Sequence, residues 1–269
     1  MKVLILGSGL SAAFAYRACV DSGIEPDVVS REARAKFPLG AIWLHWTPFP
    51  APTVEIINVS IGKEKHYIQK QWGANNPEWD SSFPKEPRTE HGVPVTDLII
   101  DRLWEGAVIE TGKFMDDEEM LTLGQKYDLV VRTFATKADR QLYQKYLVEI
   151  PILAWDVDPV GRERFAEQWA VQYSEEIRNQ DVIVIYDGTI TGHFVRKTLF
   201  PDKIVIEYSN RMYQRRSGIT YARDLHPTTP RLDPMVGNVL RVGRWSTMDR
   251  KYLSHQAYND VRIALMGNS

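Results

Sequence analysis

Gly7-Ser8-Gly9-Leu10-Ser11-Ala12 is the segment whose residue types and spacing point most directly to chemistry. It follows a short apolar run, Val3-Leu4-Ile5-Leu6, and precedes a small-residue helix expected to reach about Cys19. Strand, glycine turn and helix in that order form the opening of a dinucleotide-binding βαβ unit, with Ala12 in the third small position. Gly7 makes the tight turn, and Gly9 has no side chain to keep a pyrophosphate from the backbone. Ala12 lets the helix lie close to the strand, so that the first-turn N–H groups face the phosphates. A glycine turn without a ligand is the plainer alternative.

Further candidates are spread along the chain. The second strand ends at Ser30, where a ribose-binding acid ordinarily stands; Glu32 is the nearest carboxylate, and Arg31 reads either as a clamp for a 2′-phosphate or as a solvated arginine. The proline-bracketed loop of residues 37–53 holds Gly40, Trp43, His45 and Trp46, and its aromatic rings suit a flat ligand. His45 can move a proton near neutral pH; a loop histidine bonded to backbone is an equal alternative. Arg211, Arg215, Arg216 and Arg223 alternate with Tyr208, Tyr213 and Tyr221. That strip suits a nucleotide-like substrate or a stacked nucleic-acid strand, and a solvated β-hairpin face is the bland alternative. His66, His91, His193 and His226 show no metal-ligand spacing, so no metal is expected.

The elements that must carry these residues follow from apolar patterning. Strands are expected at Asp27–Ser30, Val54–Ile57, Tyr67–Gln71, Val108–Thr111, Tyr127–Thr133, Ile150–Trp155, Asp181–Gly188, Ile204–Tyr208 and Val239–Arg244. Helices are expected at Pro94–Glu105, Val160 to about Tyr173 and His255–Met266, with irregular chain from Asn75 to Arg88 and an acidic turn at Asp116–Glu119.

The whole chain sets the outer limits. Its 269 residues are 43% hydrophobic with a formal net charge of -2, which suits a globular protein and gives no global argument for nucleic acid or an anionic membrane. No apolar run approaches the roughly 20 residues needed to span a bilayer, and the first run is too short for a signal peptide. A cytoplasmic location is the expectation. The single cysteine, Cys19, excludes an internal disulfide and a Cys-x-x-Cys redox pair.

Three segments together resemble the FAD-dependent oxidoreductases with a glutathione-reductase-like FAD domain: the glycine turn, Tyr127-Asp128-Leu129-Val130-Val131-Arg132-Thr133, and Asn238-Val239-Leu240-Arg241-Val242-Gly243-Arg244-Trp245 before the last helix. The stretch from Gly243 to Tyr252 is similar to the UDP-galactopyranose mutase and amine-oxidase-like branch, in which a Gly-Arg pair meets the ribityl–phosphate part of the flavin. Asp181–Gly188 is similar to the mutase strand before its substrate segment. Two departures stand out: Ser30 replaces the ribose-binding acid, and the chain is shorter than typical members.

The resemblance implies an α/β fold, a Rossmann-like FAD-binding domain with a reduced, β-rich substrate region inserted. Residues 1–53, 94–150 and 236–269 would form the FAD domain, and 54–93 with 151–235 the substrate region. It assigns FAD to Gly7, Gly9, Leu10, Ser11, Ala12, Ser30, Arg31, Gly40, Gly243, Arg244 and Trp245. His45 becomes the catalytic candidate; Trp43, Trp46, Tyr186, Arg215, Asp249 and Tyr252 become substrate candidates. Flavins carry their own redox chemistry, so no nucleophilic triad is needed. The implied activity is hydride removal from a carbon next to nitrogen or oxygen, or redox-neutral flavin chemistry on a nucleotide-like substrate. A flavin-dependent lyase or oxidase acting on a modified DNA base, an NADP-dependent reductase without flavin, and a non-catalytic nucleotide-binding module are the alternatives.

Overall fold

The computed structural model describes residues 1–31, 33, 43–72, 83–112, 117–143, 147–156, 159–169, 180–192, 194–208, 220–225, 231–249 and 251–267. Short, wholly apolar strands need cover on both faces, and the first sheet supplies it. β1 (Val3–Leu6), β2 (Asp27–Ser30), β6 (Ile109–Thr111), β7 (Leu129–Arg132) and β14 (Val239–Arg241) run parallel, with β13 (Met235–Val236) antiparallel at one edge. The order β13-β14-β7-β1-β2-β6 puts β1 beside both β7 and β2. On one face, Val3, Ile5, Val28, Leu129 and Val131 pack with α1 (Leu10–Asp21), α3 (Asp97–Leu103) and a C-terminal helix, Gln256–Gly267. On the other, Leu4, Leu6, Val29 and Val130 pack against Met120 and Leu123 of α4 (Asp117–Gly124).

That last helix corrects the expected acidic turn. Asp116 lies outside the described residues, but Asp117 already begins α4. Acidic residues at that point suit the positive end of a helix dipole, and the Met120–Leu123 spacing buries one face.

The second sheet has the order β12-β8-β11-β10-β9-β4-β5-β3. Its strands are β3 (Trp43–Leu44), β4 (Val54–Gly62), β5 (Arg88–Pro94), β8 (Leu147–Asp156), β9 (Val182–Gly188), β10 (Phe194–Leu199), β11 (Lys203–Tyr208) and β12 (Thr220–Leu225). β4 and β9 are parallel; the other pairs are antiparallel. β8 therefore enters the second sheet at Leu147, inside the span assigned from sequence to the first domain. α5 (Lys137–Tyr143) precedes it and α6 (Pro159–Trp169) follows it. β5 links the two cores, since Val93 packs with the first sheet while Gly92 receives the Trp43 ring above the second.

Tyr67–Gln71 is not a strand but part of α2 (Glu64–Trp72). Its buried face is carried by Tyr67, at 1% exposure, and Lys70, three residues on. A lysine on the buried side hides the helical period from an apolar count. Lys70 Nζ lies 2.9 Å from Asp187 Oδ2 and also donates to the Asp187 and Phe194 carbonyls. It ties α2 to the β9–β10 turn. The β4–α2 junction packs tightly against that turn: Gly62 has φ +78°, and a Cβ on it would overlap the Gly188 backbone.

Lys197 is the second lysine of this region, nearly enclosed, with its ammonium 4.9 Å from the Phe194 ring centre. Burial pulls its pKa down to about 8, with the Asp187 carboxylate pulling the other way. Between about 8 and the unfolded value, the unfolded chain binds a proton that the folded chain releases, so folding stability should rise with pH across that window. Urea midpoints at the two ends of the window measure the slope; Lys197→Met should flatten it relative to the parent chain. An unchanged slope refutes the assignment.

Among the described residues, no helix is long and apolar enough to cross a membrane, and no His/Cys/Asp/Glu group is placed to hold a metal. Cys19 is buried, and burial pushes its thiol up to about 12, which makes it an inert core residue.

Candidate functional site

The glycine turn is built by its neighbours in the sheet. Gly7 has φ +117°, its N–H donates to the Val29 carbonyl at 2.9 Å, and a Cβ on it would overlap the Thr133 hydroxyl. Thr133 stands there because β7 runs parallel beside β1 and ends level with it; its N–H and hydroxyl both donate to the Leu6 carbonyl. Gly9 is the N-cap of α1, exposed, without a side-chain cap, and a Cβ on it would meet nothing within 4 Å. No side chain caps the α1 N–H groups, and among the described residues the space beside Gly9 is open. Leu10 and Ala12 point inward, at 9% and 0% exposure, and press the helix onto the sheet.

Beside the turn, Ser30 at the end of β2 is buried, and its hydroxyl donates to Ser8 Oγ at 2.8 Å. Ser8 Oγ donates in turn to the Ala33 carbonyl at 3.1 Å. Arg31 is exposed, and its carbonyl accepts from Gly112 N–H.

The C-terminal segment closes over the same place. After β14, Val242 N–H donates to the Arg132 carbonyl, and Gly243 follows with φ +85°. A Cβ on Gly243 would stand 2.7 Å from Ser11 Oγ and 2.9 Å from Ser11 Cβ, so the backbone there lies directly on the first turn of α1. The short helix α7 (Arg244–Thr247) begins at this glycine, with the Thr247 hydroxyl donating to the Gly243 carbonyl. Arg244 is half-buried; Trp245 packs beside Ala135, Met248 and Leu232. Tyr252 lies underneath, 4% exposed, donating to Asp260 Oδ2 at 2.6 Å and accepting from Gly243 N–H. Burial, reinforced by the Asp260 carboxylate, pushes its phenol well above the usual range. In this position it props up the Gly243 backbone. Asp249 is half-buried and held by Lys251 N–H and Arg231.

The remaining candidates sit elsewhere. The exposed His45 ring lies 6.1 Å from His255, whose pKa falls through burial and then through the His45 charge. Trp46 stacks edge-on with Tyr258 at 5.1 Å, and Tyr258 bonds Asp21 in the last turn of α1, the end away from the glycines. Trp43 and the buried Tyr186 flank Arg196 at 5.9 and 5.8 Å; Glu207 holds Arg196 bidentately. These two aromatics belong to the second sheet, and Tyr186 donates to Asn58 Oδ1 within it. Gly40, Arg215, Arg211, Arg216, Tyr213, His193 and His226 lie outside the described residues.

Sequence reasoning missed Thr133 and a polar cluster at the end of β7. Arg132 pairs with Asp139 at 2.9 Å and reaches Ser246 Oγ at 3.4 Å, while Asp139 and Thr136 cap α5 reciprocally. Thr133 was accessible in principle, because a strand parallel to β1 must end beside Gly7. A cavity of 470 Å³ opens near the start of β2, lined by Glu25, Asp27 and Glu110 among others. Its acids disfavour an anionic ligand, whereas the glycine turn, with converging backbone and two helix N-termini, suits a diphosphate.

No protein-family model matches the chain, and no curated protein matches its sequence. Solved structures do. A geranylgeranyl bacteriochlorophyll reductase-like protein from Thermoplasma acidophilum superposes with a TM-score of 0.55 at 9% identity, covering 99% of this chain and 77% of the other. FqzB gives 0.50 at 12% identity, covering 98% and 75%. A variant of HpxO from Klebsiella pneumoniae, complexed with FAD, gives 0.46 at 13% identity, covering 98% and 80%. At these identities the likeness is one of fold: a mixed α/β chain whose first sheet is of the Rossmann type.

Proposed function

We propose that this chain is an FAD-dependent oxidoreductase that holds the FAD diphosphate on Gly7, Gly9, Leu10, Ser11 and Ala12, with Gly243 and Arg244 completing the cradle. The observation carrying this reading is the seating of Gly243 on Ser11, since it brings two positive-φ glycines that follow strands of the first sheet, Gly7 and Gly243, to one helix N-terminus. The residues fit the group: Gly9 leaves room for phosphate oxygens, α1 lacks a side-chain cap, and the Arg244 guanidinium offers planar donors. When bound, FAD supplies hydride chemistry, and the chain's own part is to bind and orient it. The fold shared with the reductase-like protein supports this assignment.

The finer parts of the reading rest on sequence. A division into an FAD domain and a substrate region agrees with the presence of two sheets. Hydride removal from a C–N or C–O centre, a nucleotide-like substrate and a cytoplasmic setting belong to this proposal, as does the Gly-Arg likeness to the mutase and amine-oxidase branch. His45 is retained as a proton-transfer candidate through its neighbour His255. Trp43 and Tyr186 both lie near the Arg196 guanidinium, but Tyr186 is 2% exposed and bonded to Asn58, so of the two the half-buried Trp43 stays a substrate candidate.

Purified protein should show the visible absorbance of oxidised flavin and release FAD on denaturation, identified by mass spectrometry. Colourless protein that takes up no added FAD refutes the assignment.

A further inference from the structure

The segment that follows β3 meets the C-terminal helix through two histidines. His45 lies just beyond β3 and is exposed; His255 immediately precedes the helix and is half-buried. Their ring centres are 6.1 Å apart with the planes at 75°, and neither imidazole has a hydrogen-bond partner among the described residues. The next contact between the same two elements is aromatic, Trp46 edge-on to Tyr258 at 5.1 Å. The neighbouring charges are committed elsewhere. Asp21 of α1 accepts from the Tyr258 hydroxyl and pairs with Arg17, Asp260 accepts from the Tyr252 hydroxyl, and the Arg262 guanidinium stands over the Tyr258 ring. From the facing segment, the charge that acts on His255 is that of His45. At its two ends the segment is held by groups that do not titrate near neutral pH: Leu44 pairs with Val93 of β5, and Arg102 of α3 donates to the Pro50 carbonyl.

We infer that the His45–His255 contact is a pH-sensitive latch, closed while both rings are neutral and released when acid charges them, and that it sets the position of the segment carrying His45 and Trp46. Two imidazolium rings at this separation repel each other, and a cation at His255 also opposes the positive end of the C-terminal helix. Burial first, and then the His45 charge, lowers the His255 pKa from its ordinary 6.5. The released form is free of both penalties and takes up the proton more readily. The contact is therefore stable above 6.5 and weakens as pH falls below it. Histidine is the side chain that ordinarily changes charge in this range, so the Trp46–Tyr258 contact follows the latch and does not drive it. The latch does not depend on the flavin reading of the glycine turn. Under that reading it ties the placement of His45, the proton-transfer candidate, to pH.

The test reads Trp46 in the full chain labelled with fluorotryptophan, by fluorine NMR from about pH 7.5 down to about pH 5. The resonance missing from Trp46→Phe is that of Trp46. In the parent it should move towards the shift of the free amino acid with a midpoint below 6.5, while far-UV circular dichroism stays constant. His255→Gln should abolish the movement, and His45→Gln, which removes the like charge and leaves the burial, should diminish it. His45 is exposed, so its variant keeps the test open should the half-buried His255 position tolerate no change. A parent resonance that stays in place down to about pH 5 overturns the inference, as does an undiminished movement in either folded variant. Movement that coincides with loss of the circular dichroism signal overturns it too, because the whole chain and not the contact is then titrating.

Discussion

Gly243→Ala is expected to lower FAD retention by about tenfold or more while leaving the second sheet intact. The residue has φ +85° and ψ 155°, a region nearly confined to glycine that costs an L-residue about 1–3 kcal/mol, and its new Cβ would overlap Ser11 at the first turn of α1. The backbone must then lift from the helix N-terminus, carrying Arg244 with it. Adding Ser11→Gly to Gly243→Ala removes the overlap but not the dihedral cost, so it should recover part of the lost affinity. Bound FAD per chain after gel filtration, with dissociation constants from flavin fluorescence, reads both effects. Full retention in the single variant would detach the C-terminal segment from the site.

The second large effect is on stability. Asp187→Ala should lower the unfolding free energy by about 3–5 kcal/mol, measured by urea denaturation. The Asp187 carboxylate is fully buried, 2.9 Å from the Lys70 ammonium, and its other oxygen accepts from Thr189 N–H and the Thr189 hydroxyl. Removing it strands Lys70 in the interior and frees the β9–β10 turn. Lys70 keeps two carbonyl partners, which places the expectation toward the lower end of that range. Asp187→Asn keeps an acceptor for Thr189 and removes only the charge, so it separates the ionic part from the hydrogen-bonding part. It should also lower the Lys197 pKa further, because Asp187 is the group that raises it. A loss below about 1 kcal/mol would mean that the pair is solvated rather than buried.

Both variants touch residues of different legibility. The glycine turn was readable because its signal is local: apolar strand, two glycines and a small-residue helix lie within a dozen positions. The Gly243–Arg244 pair was readable through resemblance, and β1, β2, β7, β9 and the final helix through apolar runs of the right length. α2 and α4 were misread where charge masked the period: Lys70 occupies a buried helical position, and the acids of α4 are a helix start rather than a turn. Tyr252 was placed with the substrate by its nearness in sequence to Arg244, yet the fold buries it beneath Gly243.

What the sequence by itself determined is a part of the local elements, β1, α1, β2, β7, β9 and the final helix among them, together with the glycine turn at the head of α1, because a tight turn, a dipole and a small-residue contact need only neighbouring residues. The tertiary structure alone decided which distant groups join that turn. Ser11 meets Gly243, Gly7 meets Thr133, and Ser30 reaches Ser8 through the order in which parallel strands are laid beside β1. Strand order is a property of the whole packed sheet, in which each strand buries its faces against helices distant in sequence. No local spacing encodes it.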